Sequence, residues 1–99
     1  MKSLKSYIQE KLVIKKNKYN YFPKTKEELK DIILERIEAE GKEVDLNDID
    51  VSNITDMSRL FKDTDFNGDI SKWDVSNVND IYSMFWYYPI KEKYKPKFK

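Results

Sequence analysis

The residues whose types and spacing could do chemistry lie in one stretch, 63–74. Asp63, Asp65 and Asn67 place side-chain oxygens at alternate positions, Gly68 follows at the sixth, and Asp74 closes a twelve-residue loop. That spacing converges oxygen ligands on a hard cation such as calcium. Phe66 stands where a polar residue is usual, and Asp74 is one carbon shorter than the glutamate that would bind bidentately. Flanking helices of the kind that frame such a loop are missing. The 99-residue chain has no His and no Cys, which excludes thiolate and imidazole metal ligands, disulfides and His- or Cys-based catalysis. It carries no paired acid–base constellation either. No enzyme activity, no resident metal and no cofactor are expected; calcium held by Asp63, Asp65, Asn67 and Asp74 is the metal alternative.

The same stretch joins two copies of a repeat. Residues 45–68 and 69–92 form units of 24, identical at Asp45/Asp69, Asp50/Asp74, Val51/Val75, Ser52/Ser76, Asn53/Asn77, Asp56/Asp80 and Phe61/Phe85. Apolar character persists at Leu46/Ile70, Ile54/Val78, Met57/Ile81, Leu60/Met84 and Phe66/Ile90. A fixed period of this length marks stacked units that bury a continuous core. Residues 49–51 and 73–75 alternate apolar and polar, as a short strand does. Ser-Asn then makes a turn. Met57, Leu60 and Phe61, and likewise Ile81, Met84 and Phe85, have the spacing of one inward-facing helical turn. Each Asp50/Asp74 carboxylate can bond the backbone of its own turn or face a basic partner.

The repeats need caps, because two units are fewer than the ~3 that such stacks require. Ser3 and the apolar face of Leu4, Tyr7, Ile8 and Leu12 predict a short helix over 3–14. A clearer helix runs from Thr25 to about Glu40. Thr25 and Glu28 form a capping box, Leu29, Ile32, Ile33 and Ile37 make its buried stripe, and Gly41 ends it. Trp86, Tyr87 and Tyr88 are expected to cap the other end or to serve as an exposed aromatic anchor. The expected fold class is therefore α+β: N-terminal helices over 1–44, two short strand–turn–helix repeats with an aromatic cap over 45–92, and a basic tail over 93–99.

Residues 69–78, Asp-Ile-Ser-Lys-Trp-Asp-Val-Ser-Asn-Val, followed by Met84-Phe85 and preceded by Phe66-Asn67-Gly68, resemble the BspA-type leucine-rich-repeat family, which includes the mycoplasma lipoprotein repeat. The helix beginning Phe-Pro-Lys-Thr-Lys-Glu-Glu-Leu and the following Asp-Leu-Asn-Asp-Ile-Asp resemble the lead-in of small bacterial or prophage-encoded members. The resemblance implies a right-handed stack used for protein or surface binding, without catalysis.

Charge is partitioned. Residues 1–30 carry nine Lys and three acids, 31–80 five basic and fourteen acidic residues, and 81–99 five Lys and one Glu. The acidic middle either attracts the basic ends within the fold or faces a basic partner. The expected function is a protein-binding module, with Asp45, Asp48, Asp50, Asp63, Asp74, Trp86, Tyr87 and Tyr88 as candidate contacts. A small phage-encoded inhibitor of a host defence protein or nuclease, acting through the acidic face, is one alternative. A calcium-binding protein is the other. Lysines interleaved with Tyr19, Tyr21 and Phe22 weakly suggest nucleic acid, which is not the favoured partner. No apolar run is long enough for a membrane span, and the N-terminal residues lack the apolar core of a secretory signal, so a cytoplasmic location is expected unless a signal has been removed.

Overall fold

The computed structural model describes residues 19–85 and 90–98. The expected helix over 3–14 and the aromatic residues Trp86, Tyr87 and Tyr88 lie outside the described residues.

Helix α1 spans Lys26–Glu40. The Thr25 hydroxyl accepts the Glu28 N–H at 3.1 Å, and the Glu28 carboxylate reaches back to the Lys24 N–H at 2.8 Å. This satisfies donors that the first turn would otherwise leave without partners. At the other end Gly41 adopts φ 96°, a left-handed conformation that glycine enters without penalty, and its N–H closes on the Ile37 carbonyl. Leu29, Ile32 and Ile33 are buried, Ile37 packs on the core, and Leu34 stays largely exposed.

Over their described residues the two 24-residue units are coils made of successive turns. In the first coil, Ile49, Ile54, Leu60 and Thr64 each donate to the carbonyl three residues back; Trp73, Val78 and Met84 do so in the second. Apolar residues fall on the inner side of each turn. Leu46, Ile49, Val51, Ile54, Met57, Leu60, Phe61 and Phe66 are buried in the first coil, and Ile70, Trp73, Val75 and Met84 in the second. The two segments where one helical turn is expected contain a left-handed residue instead, Arg59 at φ 54° and Ser83 at φ 52°. Those two positions are one period apart. A left-handed residue cannot continue a right-handed helix, so the chain turns outward there.

The coils are joined in parallel register at Asp56 and Asp80. Met57, Arg59 and Phe61 donate to the carbonyls of Asp80, Tyr82 and Met84 at 2.8, 2.9 and 3.0 Å, and Asn79 donates to Thr55 at 2.8 Å. This rung lies further along each coil than 49–51 and 73–75, where strands are expected. The reason is local: the N–H groups of Ile49 and Trp73 are already used inside their own turns. Ile49 pairs instead with Tyr21, a parallel bridge in which Asp50 donates to the Tyr21 carbonyl. Tyr21 thus starts the stack on one side. On the other, Ile70 donates to the Tyr94 carbonyl at 3.0 Å, much as Leu46 donates to Asp69 at 3.1 Å. Tyr94 lies in the short 3-10 turn Glu92–Tyr94.

Side chains lock the same register. The Trp73 indole donates to the Leu46 carbonyl at 2.8 Å, and the Asn77 amide donates to the Ser52 carbonyl at 2.7 Å. Phe61 stacks on Phe66 at 4.7 Å and on its repeat mate Phe85 at 5.8 Å, with Phe85 only 5° from parallel. Such aromatic pairs contribute about 0.5–1.5 kcal/mol each beyond their buried area. Helix α1 covers the first coil from corner to corner. Its Lys26 ammonium reaches the Asp56 carboxylate and the Ser58 hydroxyl, both at 3.2 Å.

Gly68 sits at the joint between the coils, buried against the Val44 carbonyl. A Cβ there would lie 2.0 Å from that backbone oxygen and under 3 Å from the Phe66 ring. Neither obstacle is the free end of a flexible chain. Gly68→Ala is therefore expected to lower the free energy of unfolding by at least about 2 kcal/mol, the range of overpacked cores, measured by chemical denaturation.

Candidate interaction surface

Six aspartates organise the corners, and each is used in the same way. One carboxylate oxygen accepts the backbone N–H two residues on: Asp45 from Asn47, Asp50 from Ser52, Asp56 from Ser58, Asp69 from Ser71, Asp74 from Ser76 and Asp80 from Tyr82, all within 2.8–3.1 Å. Asp50, Asp56 and Asp74 also take the serine hydroxyl at 2.6 or 2.7 Å. These bonds hold the turns open, and at Asp56 the second carboxylate oxygen takes the Lys26 ammonium.

The candidate contacts are therefore not equivalent. Asp45, Asp50 and Asp74 hold turns. Asp48 is drawn into the fold: it accepts from the Arg36 guanidinium at 3.0 Å and from the Asn20 amide at 3.0 Å. Asp63 is exposed and takes φ 64°, a conformation that aspartate tolerates better than most residues. Asp65 is exposed as well, Asn67 is half-buried and donates its N–H to the Lys42 carbonyl, and Phe66 and Ile70 are core residues. Among the described residues no three acidic side chains come together as a metal site requires. Trp86, Tyr87 and Tyr88, outside the described residues, have no placement on this surface.

The acidic middle meets the basic ends at several points. A depression of about 300 Å³ is lined by Glu43, Asp45 and Asp69, with Lys91 and Tyr94 from the C-terminal segment on its rim. A second, of about 400 Å³, lies between Tyr19, Asp48 and Lys72. Tyr21 and Phe22 are buried, so their rings are not free to stack on bases.

Arg36 is a functional residue of the fold that sequence reasoning missed. It is buried, bonds Asp48 and the Asp45 carbonyl, pairs with Glu40 and lies 4.9 Å above the Tyr21 ring. Burial works against its charge, but the bonds from Glu40 and Asp48 outweigh it and hold the guanidinium more firmly protonated. Its position was legible in principle: Leu29, Ile32, Ile33 and Arg36 share one helical stripe. Lys26 and Asp56 were also missed, as was the exposure of two residues, Ile81, which the spacing places on an inner face, and Tyr82. These last two are large apolar side chains left exposed at the edge of the second coil. Ile81 lines a groove of about 880 Å³ together with Phe85, Phe98, Lys93, Lys95 and Lys97.

The Asp56 carboxyl is held down to about 2 from its ordinary 3.8, first by the Ser58 hydroxyl and backbone N–H and then by Lys26. Asp69 is lowered too: partial burial pushes it up, but bonds from Ser71 and Asn47 win. A carboxyl lowered in the folded state stabilises the protein above its unfolded pKa and loses that effect as pH falls through the folded value. Stability is expected to fall as pH drops from about 4 to about 2, and Asp56→Asn should make that fall shallower in pH-dependent denaturation. An unchanged slope would contradict the role given to Asp56.

No helix of the described residues is long and apolar enough to cross a membrane. Neither the curated proteins nor the solved structures contain a match. A family model described as Mycoplasma protein of unknown function, DUF285, matches residues 29–90, from the apolar stripe of α1 through both coils. With more than half of its length covered, the chain belongs to the DUF285 family of Mycoplasma proteins of unknown function.

Proposed function

We propose that the protein is a non-catalytic protein-binding module of the BspA-type leucine-rich-repeat kind. The observation that carries this reading is a difference between repeat mates. Met57 is fully buried under the second coil, whereas its mate Ile81 is 45% exposed and the neighbouring Tyr82 66% exposed. Apolar side chains of that size, left uncovered together at a regular edge, are what an interface uses. The 24-residue parallel register and the repeated aspartate turns support the leucine-rich-repeat assignment. The turn bonds also support a scaffold over a reaction centre, since the corner carboxylates hold backbone groups.

A second reading is a small inhibitor of phage type that engages a basic host protein through its acidic surface. The depression lined by Glu43, Asp45 and Asp69 favours it. The two readings separate by substitution. Asp45 and Asp48 are poor test sites, because one holds a turn and the other holds Arg36. Glu43 and Asp65 are exposed and hold neither.

Capture from a bacterial lysate with the immobilised full chain should recover a discrete protein that free chain competes away. Loss of that protein with Glu43→Lys and Asp65→Lys together would select the acidic-face reading. Recovery of nucleic acid alone, or of nothing beyond an unrelated control, would overturn protein binding. Millimolar calcium should leave Tm unchanged; a rise of several degrees would return the 63–74 loop to a metal role.

A further inference from the structure

We propose that the open edge of the second coil, residues 81–85 with the groove beside it, takes up an extended acidic segment of another protein as the next rung of the ladder. The inference rests on the protein-binding reading and names its surface and its partner chemistry.

The first coil shows what this edge binds. Met57, Arg59 and Phe61 present N–H groups at alternate residues, and these donate to three carbonyls of the second coil. Ile81, Ser83 and Phe85 occupy the same places one period later. Ser83 even repeats the left-handed conformation of Arg59. Among the described residues no acceptor meets the N–H of Ile81 or of Ser83. The next coil is begun, since Ile70 donates to Tyr94, but that contact covers only the first corner. Among the described residues the last corner stays open. An edge with free, regularly spaced donors and exposed apolar side chains is a template for strand addition.

Charge selects the occupant. The groove carries Lys93, Lys95 and Lys97 against one acid, Glu92. Lys95 is already engaged, 3.3 Å from Glu92 and 5.2 Å over the Phe85 ring. Lys93 and Lys97 have no ion pair among the described residues. A second copy paired edge to edge would bring these lysines onto their own counterparts, which is repulsive. A helix would arrive with its carbonyls already bonded internally. The fitting occupant is extended, offers carbonyls at alternate residues, places apolar side chains on Ile81 and Phe85, and carries carboxylates toward Lys93 and Lys97.

The probe is a capped, labelled peptide copying residues 74–85, which includes Asp74 and Asp80 and spans the segment that the first coil holds through the same donors. Mixed with the isotope-labelled full chain, it should bind saturably and shift the amide signals of Ile81, Ser83, Lys93 and Lys97. A scrambled peptide of equal composition should bind at least tenfold more weakly. Ile81→Asp should weaken binding tenfold or more, and so should Lys93→Glu with Lys97→Glu; because Lys93 also lies 5.3 Å over the Tyr94 ring, the exposed Lys97→Glu alone should weaken binding severalfold with Tm in place. Absence of saturable binding overturns the proposal, as do shifts confined to the Glu43–Asp45 depression. Self-association through residues 81–85 without peptide also overturns it and assigns the edge to a second copy. If lysate capture survives Ile81→Asp, this inference fails while the protein-binding reading stands; if capture fails with the unaltered chain, that reading is the one lost.

Discussion

The structure depends on one recurrent contact, an aspartate carboxylate accepting the N–H two residues ahead of it. A chain that turns at every corner forgoes the continuous hydrogen-bond ladders of helix and sheet. Its backbone donors would be costly to leave unsatisfied near a core. Six carboxylates supply those acceptors, three per coil, at the same three places. With the turns held, the residues between them point inward by default, and the apolar positions of one coil meet those of the next. The aspartates are thus part of the backbone architecture before they are part of any surface. That is why an acidic chain segment can fold without presenting all of its charge to partners.

Register follows from the same economy of donors. Where a corner N–H is consumed inside its own turn, as at Ile49 and Trp73, the coils cannot pair. Where it is free, as at Met57, Arg59 and Phe61, they do. The left-handed residues Arg59 and Ser83 sit inside this paired segment and keep it from closing into a helix, which would have withdrawn those N–H groups from the neighbouring coil. The pairing edge and the absence of a helix there are one feature. Helix α1 then seals the first coil with two cationic contacts, Lys26 at one corner and Arg36 at another, while Tyr21 adds a rung beside Ile49.

Much of this was legible in the sequence where chemistry repeats. The 24-residue period, the shared core positions (apart from Ile81) and the Thr25–Glu28 cap all follow from residue type and spacing, and Asp50/Asp74 could be read as turn residues from the Ser-Asn that follows. The pairing rung was not legible, because it depends on which N–H groups the turns leave over. Arg36 was missed because arginine on an amphipathic helix is ordinarily read as solvent-facing, although it falls in line with Leu29, Ile32 and Ile33. Tyr94 lies one period beyond Ile70, as Ile70 does beyond Leu46, yet its neighbours show little other likeness to the repeat, so the beginning of a third rung was hidden. Asp63 to Asp74 satisfied the spacing of a cation loop while Phe66 and Ile70 within it were committed to the core. Linear spacing records positions, whereas ligation needs side chains turned to one side.

Amide hydrogen exchange on the full chain tests the central claim most directly, because repeat mates report on the same place in successive coils. The account predicts slow exchange at Met57, Arg59 and Phe61, whose N–H groups are bonded to the second coil, and much faster exchange at Ile81 and Ser83, which hold the same places at the open edge. Equal protection at the two sets, or fast exchange at Met57 and Phe61, would contradict the parallel stacking of the two coils.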